Sequence, residues 1–288
     1  MASVRDIKNR IRSVSSTQKI TKAMNLVATS KLQGAKRRQK STKPFFDTTQ
    51  RVIASVVKNS KGINHPFLIQ REGSRVAVLS ISGDRGLCGA YNTNISKEVL
   101  ALIDGKEEKL VTVGTKARDY FTRRDKNIIN TFSGISENPS YESAKEISEI
   151  LLKLYLDGEV DEVYIGYTEF VTTLEQIPRV KKLLPVDVSA FESDETEEEK
   201  EDNSLMQYDP DEETVLAYLV PKYITTFIYG SLVESAACEL ASRMTSMDSA
   251  TENATTMIDT LTLKMNRARQ SAITQEITEI VSGANALE

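Results

Sequence analysis

Residues 230–272 read GSLVESAACELASRMTSMDSATENATTMIDTLTLKMNRARQSA, and their spacing decides the fold. Gly230, Val233, Ala237, Leu240, Met244, Met247, Thr251, Ala254, Ile258, Leu261, Met265, Ala268 and Ala272 fall at alternating steps of three and four. That is the a/d seam of a left-handed coiled coil, held for far longer than a chance pattern would last. No proline interrupts it. At ~1.5 Å per residue the segment alone is a helix of roughly 60 Å. Such a helix cannot be buried in a globule of its own, and its seam needs a partner.

The other end of the chain offers one. Val4, Ile7, Ile11 and Val14 repeat the three-four pattern, and Ile20, Met24 and Val27 resume it after a slip, which predicts a stutter-like defect in the supercoil. Ser3 is placed to cap this helix, with Asp6 in its first turn. Lys43-Pro44 is expected to kink or restart it, because proline removes a donor and disfavours helix just before itself. Phe45 to Lys58 then carries Val52, Ile53, Val56 and Val57. Two pairings satisfy these seams: an antiparallel pair within one chain, or a pair made with a second copy.

The texture between the helices favours the first. Arg75 to Ser82 is a β-branched apolar run, followed by Leu110 to Val113, a weaker Asn127 to Thr131, and Glu162 to Thr168. Helical stretches separate them: Asn94 to Ile103, Thr115 to Arg124, and Tyr141 to Leu156, where Ile147, Ile150, Leu151, Leu154 and Tyr155 share one face. Strand and helix in alternation predict a parallel, doubly wound sheet, with Val180 to Val186 as an edge strand ended at Pro185. The expected fold is α/β: an antiparallel two-helix coiled coil from the N- and C-terminal segments with an inserted Rossmann-like parallel-sheet domain. The divisions read as residues 1–58 for the first helix, 75–186 for the inserted domain, 187–213 for an acidic loop and 214–288 for the last helix.

Charge is distributed unevenly. Eleven lysines and arginines face only Asp6 among the first forty residues, and Arg5, Lys8, Arg12, Lys19 and Lys22 form a heptad-spaced stripe beside the seam. Residues 187–213 are heavily acidic. The stripe reads either as a solvated face or as a surface that meets an acidic partner. No aromatic residues are interleaved with these charges to stack on bases, so nucleic acid is not the expected partner. No apolar run approaches the ~18 residues that would cross a bilayer, and the N-terminus enters a charged helix at once, so no targeting segment is expected. Cys88 and Cys238 make no metal-type pair and read as packed thiols, and the single histidine, His65, precedes Pro66 in a loop.

Catalytic patterns are missing from the sequence. The turn Gly83-Asp84-Arg85-Gly86-Leu87-Cys88-Gly89 has glycines where a strand feeds a helix, but its spacing is neither G-x-G-x-x-G nor a P-loop. It reads as a phosphate cradle or as a tight turn forming a docking surface. With one histidine and no G-x-S-x-G, the sequence shows no Ser-His-Asp pattern. No enzyme activity, metal or cofactor is expected.

Three motifs in order carry a resemblance: Thr17-Gln18-Lys19-Ile20-Thr21-Lys22-Ala23-Met24, Asp84-Arg85-Gly86-Leu87-Cys88-Gly89, and Ile273-Thr274-Gln275-Glu276-Ile277-Thr278-Glu279-Ile280-Val281-Ser282-Gly283-Ala284. Together they resemble the γ-subunit family of bacterial F-type ATP synthases. The resemblance implies a non-catalytic rotor shaft inside a ring of three α and three β subunits, with an ε subunit alongside and a ring of c subunits beneath. It implies ATP synthesis coupled to proton transport, and a peripheral position on the cytoplasmic side of the cell inner membrane. Arg5, Lys8, Arg12, Lys19, Lys22 and Met24, with Arg269, Gln270, Ile273, Ile277 and Ile280, would then meet the α/β ring. Ile273, Ile277 and Ile280 read equally as coiled-coil core or as a smooth tip in an apolar sleeve. Asp84, Arg85 and Tyr208 would lie toward the c ring and ε. Leu240 stands where many members of the family have histidine, and Met265 where many have tyrosine. The cysteine-free acidic region differs from the chloroplast form, so thiol control is not expected.

Overall fold

A computed structural model describes residues 4–59, 65–71, 73–186 and 212–285. The chain forms two compact units, one from residues 1–29 with 243–288 and one from residues 30–242. Two long helices, α1 (Val4–Asn59) and α5 (Glu212–Asn285), contribute to both. Of the acidic segment, residues 187–211, Tyr208 among them, lie outside the described residues, and Glu212 and Glu213 open α5.

In the first unit α1 and α5 pair antiparallel. Asn25 Nδ2 donates to the Met244 carbonyl at 3.0 Å, the Thr21 and Thr251 hydroxyls lie 2.8 Å apart, and Gln18 Nε2 donates to Thr255 Oγ1 at 2.7 Å. As the α1 number falls, its α5 partner's number rises. Met247 and Ala254 are buried, and Thr251, Ile258, Leu261, Met265 and Ala268 are part-buried, as the heptad reading expects. Beyond Ala268 every described α5 side chain is exposed. The many threonines cost this helix little, because their hydroxyls bond back one turn: Thr251 to Met247, Thr255 to Thr251, Thr274 to Gln270.

The expected slip in α1 does not occur. The three-four rhythm runs on through Gln18, Thr21, Asn25, Ala28 and Leu32, all part-buried or buried. Ile20 and Val27 are instead 58% and 57% exposed, and Met24 flanks the seam half-buried. Polar side chains hold the seam here because each finds a partner across it or in its own helix. Pro44 does not restart α1, which is one helix from Val4 to Asn59.

The second unit is built on β1 (Arg75–Ile81), β2 (Glu107–Val113), β3 (Ile128–Phe132), β4 (Glu162–Phe170) and β5 (Gln176–Leu184). Their order is β3-β2-β1-β4-β5; the first four are parallel and β5 pairs antiparallel with β4 at the edge. The helices are α2 (Tyr91–Leu102), α3 (Thr115–Thr122) and α4 (Tyr141–Leu156). Ser140 caps α4 by accepting from Ser143 N at 3.1 Å.

Alternation along β1 builds a core on each face of the sheet. Ala77, Leu79 and Ile81 pack with Ile147, Leu151 and Tyr155 of α4 and with Leu216, Val220, Ile224 and Ile228 of α5. Val76 and Val78 pack with Val99 and Ile103 of α2 and Ala117 and Phe121 of α3. Each fully buried large side chain stabilises by about 1.5–3 kcal/mol. The face beneath α5 therefore fixes that helix to the sheet.

Candidate functional site

The glycine turn follows β1 and is closed by its own polar groups. Gly83 N donates to Asn92 Oδ1 at 2.8 Å, and Asp84 N donates to Ser136 Oγ at 3.3 Å. The Asp84 carboxylate accepts from Thr115 N at 3.1 Å and from Gly134 N and Ser136 Oγ at 2.9 Å each. A phosphate cradle needs free amides, and the first two amides of the turn, Gly83 N and Asp84 N, are engaged. A buried acid also lies on the turn: a Cβ on Gly83 would stand 2.6 Å from the Glu239 carboxyl carbon, and Glu239 is 1% exposed.

What the turn docks on is the chain's own helix. Ser242 Oγ donates to the Cys88 carbonyl at 2.7 Å, and Tyr91 Oη donates to the Ser235 carbonyl at 3.0 Å. Burial, with the nearby Glu239 charge, pushes the Tyr91 phenol well up, so it stays a donor. Cys88, Tyr91 and Cys238 share one buried cluster, and burial pushes the Cys238 thiol up as well. Both cysteines are packed residues. His65 is also buried, its Nδ1 accepting from Phe67 N at 3.3 Å, and burial holds it below its ordinary value.

The expected contact residues fall into three groups. Arg5, Lys8, Arg12, Lys19 and Lys22 are exposed, each one residue after a seam position, and none is ion-paired among the described residues. Arg269 and Gln270 are exposed, as are Ile273, Ile277 and Ile280, the last three by 48%, 57% and 71%. Within the chain these isoleucines are thus not seam core. Asp84 spends its carboxylate holding loops together, whereas Arg85 is exposed, 3.9 Å from Glu137. The sequence reading missed that α1 carries apolar side chains outside the seam, Ile20, Leu26 and Val27, of which Leu26 is 64% exposed. Continuing the strict rhythm through Gln18 and Asn25 would have placed these outside the seam.

Among the described residues no group of His, Cys, Asp and Glu could hold a metal ion, and no helix is long and apolar enough to cross a membrane. An antiparallel helix pair with an inserted α/β domain, a cationic stripe and an unpaired apolar helix end defines a class: a coiled-coil chain that works by contact with other proteins.

Comparison with known proteins agrees. The family model described as ATP synthase matches residues 3–287. The chain is 44% identical to the ATP synthase gamma chain of Alkaliphilus metalliredigens, over 99% of each chain. It is 44% identical to the sodium ion specific ATP synthase gamma chain of Acetobacterium woodii, covering 99% of this chain and 98% of that one. Among solved structures, the rotor of the Euglena gracilis mitochondrial ATP synthase shares the fold at a TM-score of 0.70 and 17% identity, over 94% of this chain and 98% of that one. The chain belongs to the gamma chains of the ATP synthase family, non-catalytic components of that enzyme.

Proposed function

We propose that this chain is the central rotor shaft of a proton-translocating F-type ATP synthase. The c ring turns it, and it drives conformational change at the catalytic β subunits of a ring of three α and three β, with ε beside it. The assembly is peripheral to the cell inner membrane on its cytoplasmic side. The observation that supports this best is the α5 end: every described side chain beyond Ala268 is exposed, yet Ile273, Ile277, Ile280 and Val281 keep an apolar face. An apolar end with few charges suits a sleeve of α and β loops, where ion pairs would pin rotation.

The cationic stripe of Arg5, Lys8, Arg12, Lys19 and Lys22, with Met24 on the seam's other flank, serves as the surface that meets acidic levers on β. Only contacts that differ between β conformers can shift their equilibrium, and an asymmetric shaft supplies such contacts in turn. Arg85 and Tyr208 are assigned to the c-ring and ε side, with Asp84 holding the turn that presents Arg85. A sodium-specific relative at 44% identity makes the ion a question for the c ring. Co-purification on a tagged chain tests the reading. Stoichiometric α, β and ε with ATPase activity are expected, with acidification of inverted vesicles that does not require sodium. A chain recovered alone would overturn the rotor assignment, and sodium-dependent pumping would overturn only the proton.

A further inference from the structure

β4 outruns its neighbour. The β1–β4 register ends at Ser80 opposite Gly166, but β4 continues to Phe170, paired only on its β5 side. The backbone groups left on the other side are taken by α5. Thr168 N donates to Ser235 Oγ at 3.3 Å, Phe170 N donates to Glu234 Oε1 at 3.0 Å, and Cys238 Sγ donates to the Thr168 carbonyl at 3.4 Å. Tyr91 and Ser242 add the two bonds that tie the glycine turn to the same stretch. Glu234, Ser235, Cys238, Glu239 and Ser242 lie at spacings that put them on one face of a helix.

This contact differs in kind from the apolar one beside it. Hydrophobic burial has no preferred direction, so it resists separation better than it resists rolling. Hydrogen bonds are directional, and these are buried: Ser235 is 1% exposed, Thr168 3% and Tyr91 6%. A roll of α5 about its axis would leave several buried groups without partners at once, which is costly. The polar ties of α1 to the domain are fewer among the described residues. They include an ion pair from Lys31 to Glu137 at 2.6 Å and a part-buried bond from Lys36 Nζ to Thr173 Oγ1 at 2.9 Å, while Phe46 packs on the apolar core without such directionality. An exposed ion pair such as Lys31–Glu137 contributes little and is screened by salt.

Resting on the rotor reading above, we propose that residues 234–242 of α5 are a torque key. Their polar face locks α5 against rotation relative to the α/β domain, so that α5 rather than α1 receives the turning force. Ser235, Ser242 and Tyr91 are its positioning residues.

The test uses the assembled complex in inverted membrane vesicles, with the Ser235→Ala/Ser242→Ala double variant and, separately, Tyr91→Phe. ATP hydrolysis measured with an ionophore present should match wild type, because the shaft then turns against little load. ATP-driven gradient formation should fall several-fold, and the deficit should grow as the opposing gradient is raised. Ser235→Ala/Ser242→Thr, which keeps the hydroxyl at 242, should pump better than the double alanine variant. Hydrolysis and pumping falling in proportion would overturn the key, since that reports lost assembly alone, and so would unchanged pumping at every load. If the double variant fails to assemble, Tyr91→Phe decides by the same two readouts. Wild-type vesicles that form no gradient on ATP would sink the rotor reading itself, and the key with it.

Discussion

Asp84 sits in a motif that marks a family, which invites a contact role, but its carboxylate accepts from Thr115, Gly134 and Ser136. Asp84→Ala would strip three donors at once and should destabilise the chain by about 3 kcal/mol, read from urea unfolding. Asp161 carries no motif at all, yet it is 2% exposed and joined to Arg75 through Oδ1 to Nη2 at 2.6 Å and Oδ2 to Nε at 3.1 Å. A Cβ on Gly73 would stand 1.9 Å from this carboxylate, so only glycine fits there. The Arg75 hydrogen bond holds the Asp161 carboxyl below the usual carboxylate range despite the opposing effect of burial. The unfolded chain therefore takes up this proton first as pH falls, starting near pH ~4. The pair's stabilisation is fully present above that value and is lost as pH drops through the folded value. The urea midpoint of the wild type should fall over this window, and that of Asp161→Asn should be lower at neutral pH and fall less. Sequence could not reveal this pair, because its partners lie 86 positions apart and share no spacing rule.

At the scale of elements, periodicity was readable wherever burial was one-sided. Tyr141 to Leu156 is a helix with those bounds, because Ile147, Leu151 and Tyr155 face the sheet. β2 begins earlier than its apolar core suggests, since Glu107, Glu108 and Lys109 occupy its less buried end. The strand order follows from crossovers, which leave no local trace. In α1 the apolar signal misled: Ile20 and Val27 look like seam, while Gln18, Thr21 and Asn25 are the seam. A polar residue in such a position weakens a coiled coil but specifies its register, and bulky apolar residues outside it are left for other surfaces. The two phases predict different mutants. Ile20→Gln should change thermal stability by no more than about 0.5 kcal/mol, as surface changes do. Met247→Ala, at a seam position 4% exposed, should cost about 2–3 kcal/mol. Thermal melts followed by circular dichroism would separate them, and a large loss from Ile20→Gln would restore the slipped register.

For the molecule as a whole, the fold class was legible because both ends repeat one rhythm around a strand–helix alternation, and charge marks the surface proposed for contact. The stripe of Arg5, Lys8, Arg12, Lys19 and Lys22 consists of exposed cations one step off the seam, and the helix pair does not need them for packing. Their effect should therefore appear in association. Exposed charges act over about 8–10 Å at physiological salt, and complementary charge mainly raises the rate of encounter. Arg5→Glu/Lys8→Glu/Arg12→Glu should leave the unfolding midpoint of the chain nearly unchanged. It should slow assembly with α and β by roughly 10-fold or more at low ionic strength. The gap between variant and wild type should close as salt is raised, because screening removes what the reversal removed. Reconstitution followed by the recovery of ATPase activity, at several salt concentrations, reads this directly. A rate difference independent of salt would mean that the reversals act by shape, and a stripe with no effect at any salt would return it to a solvated helix face.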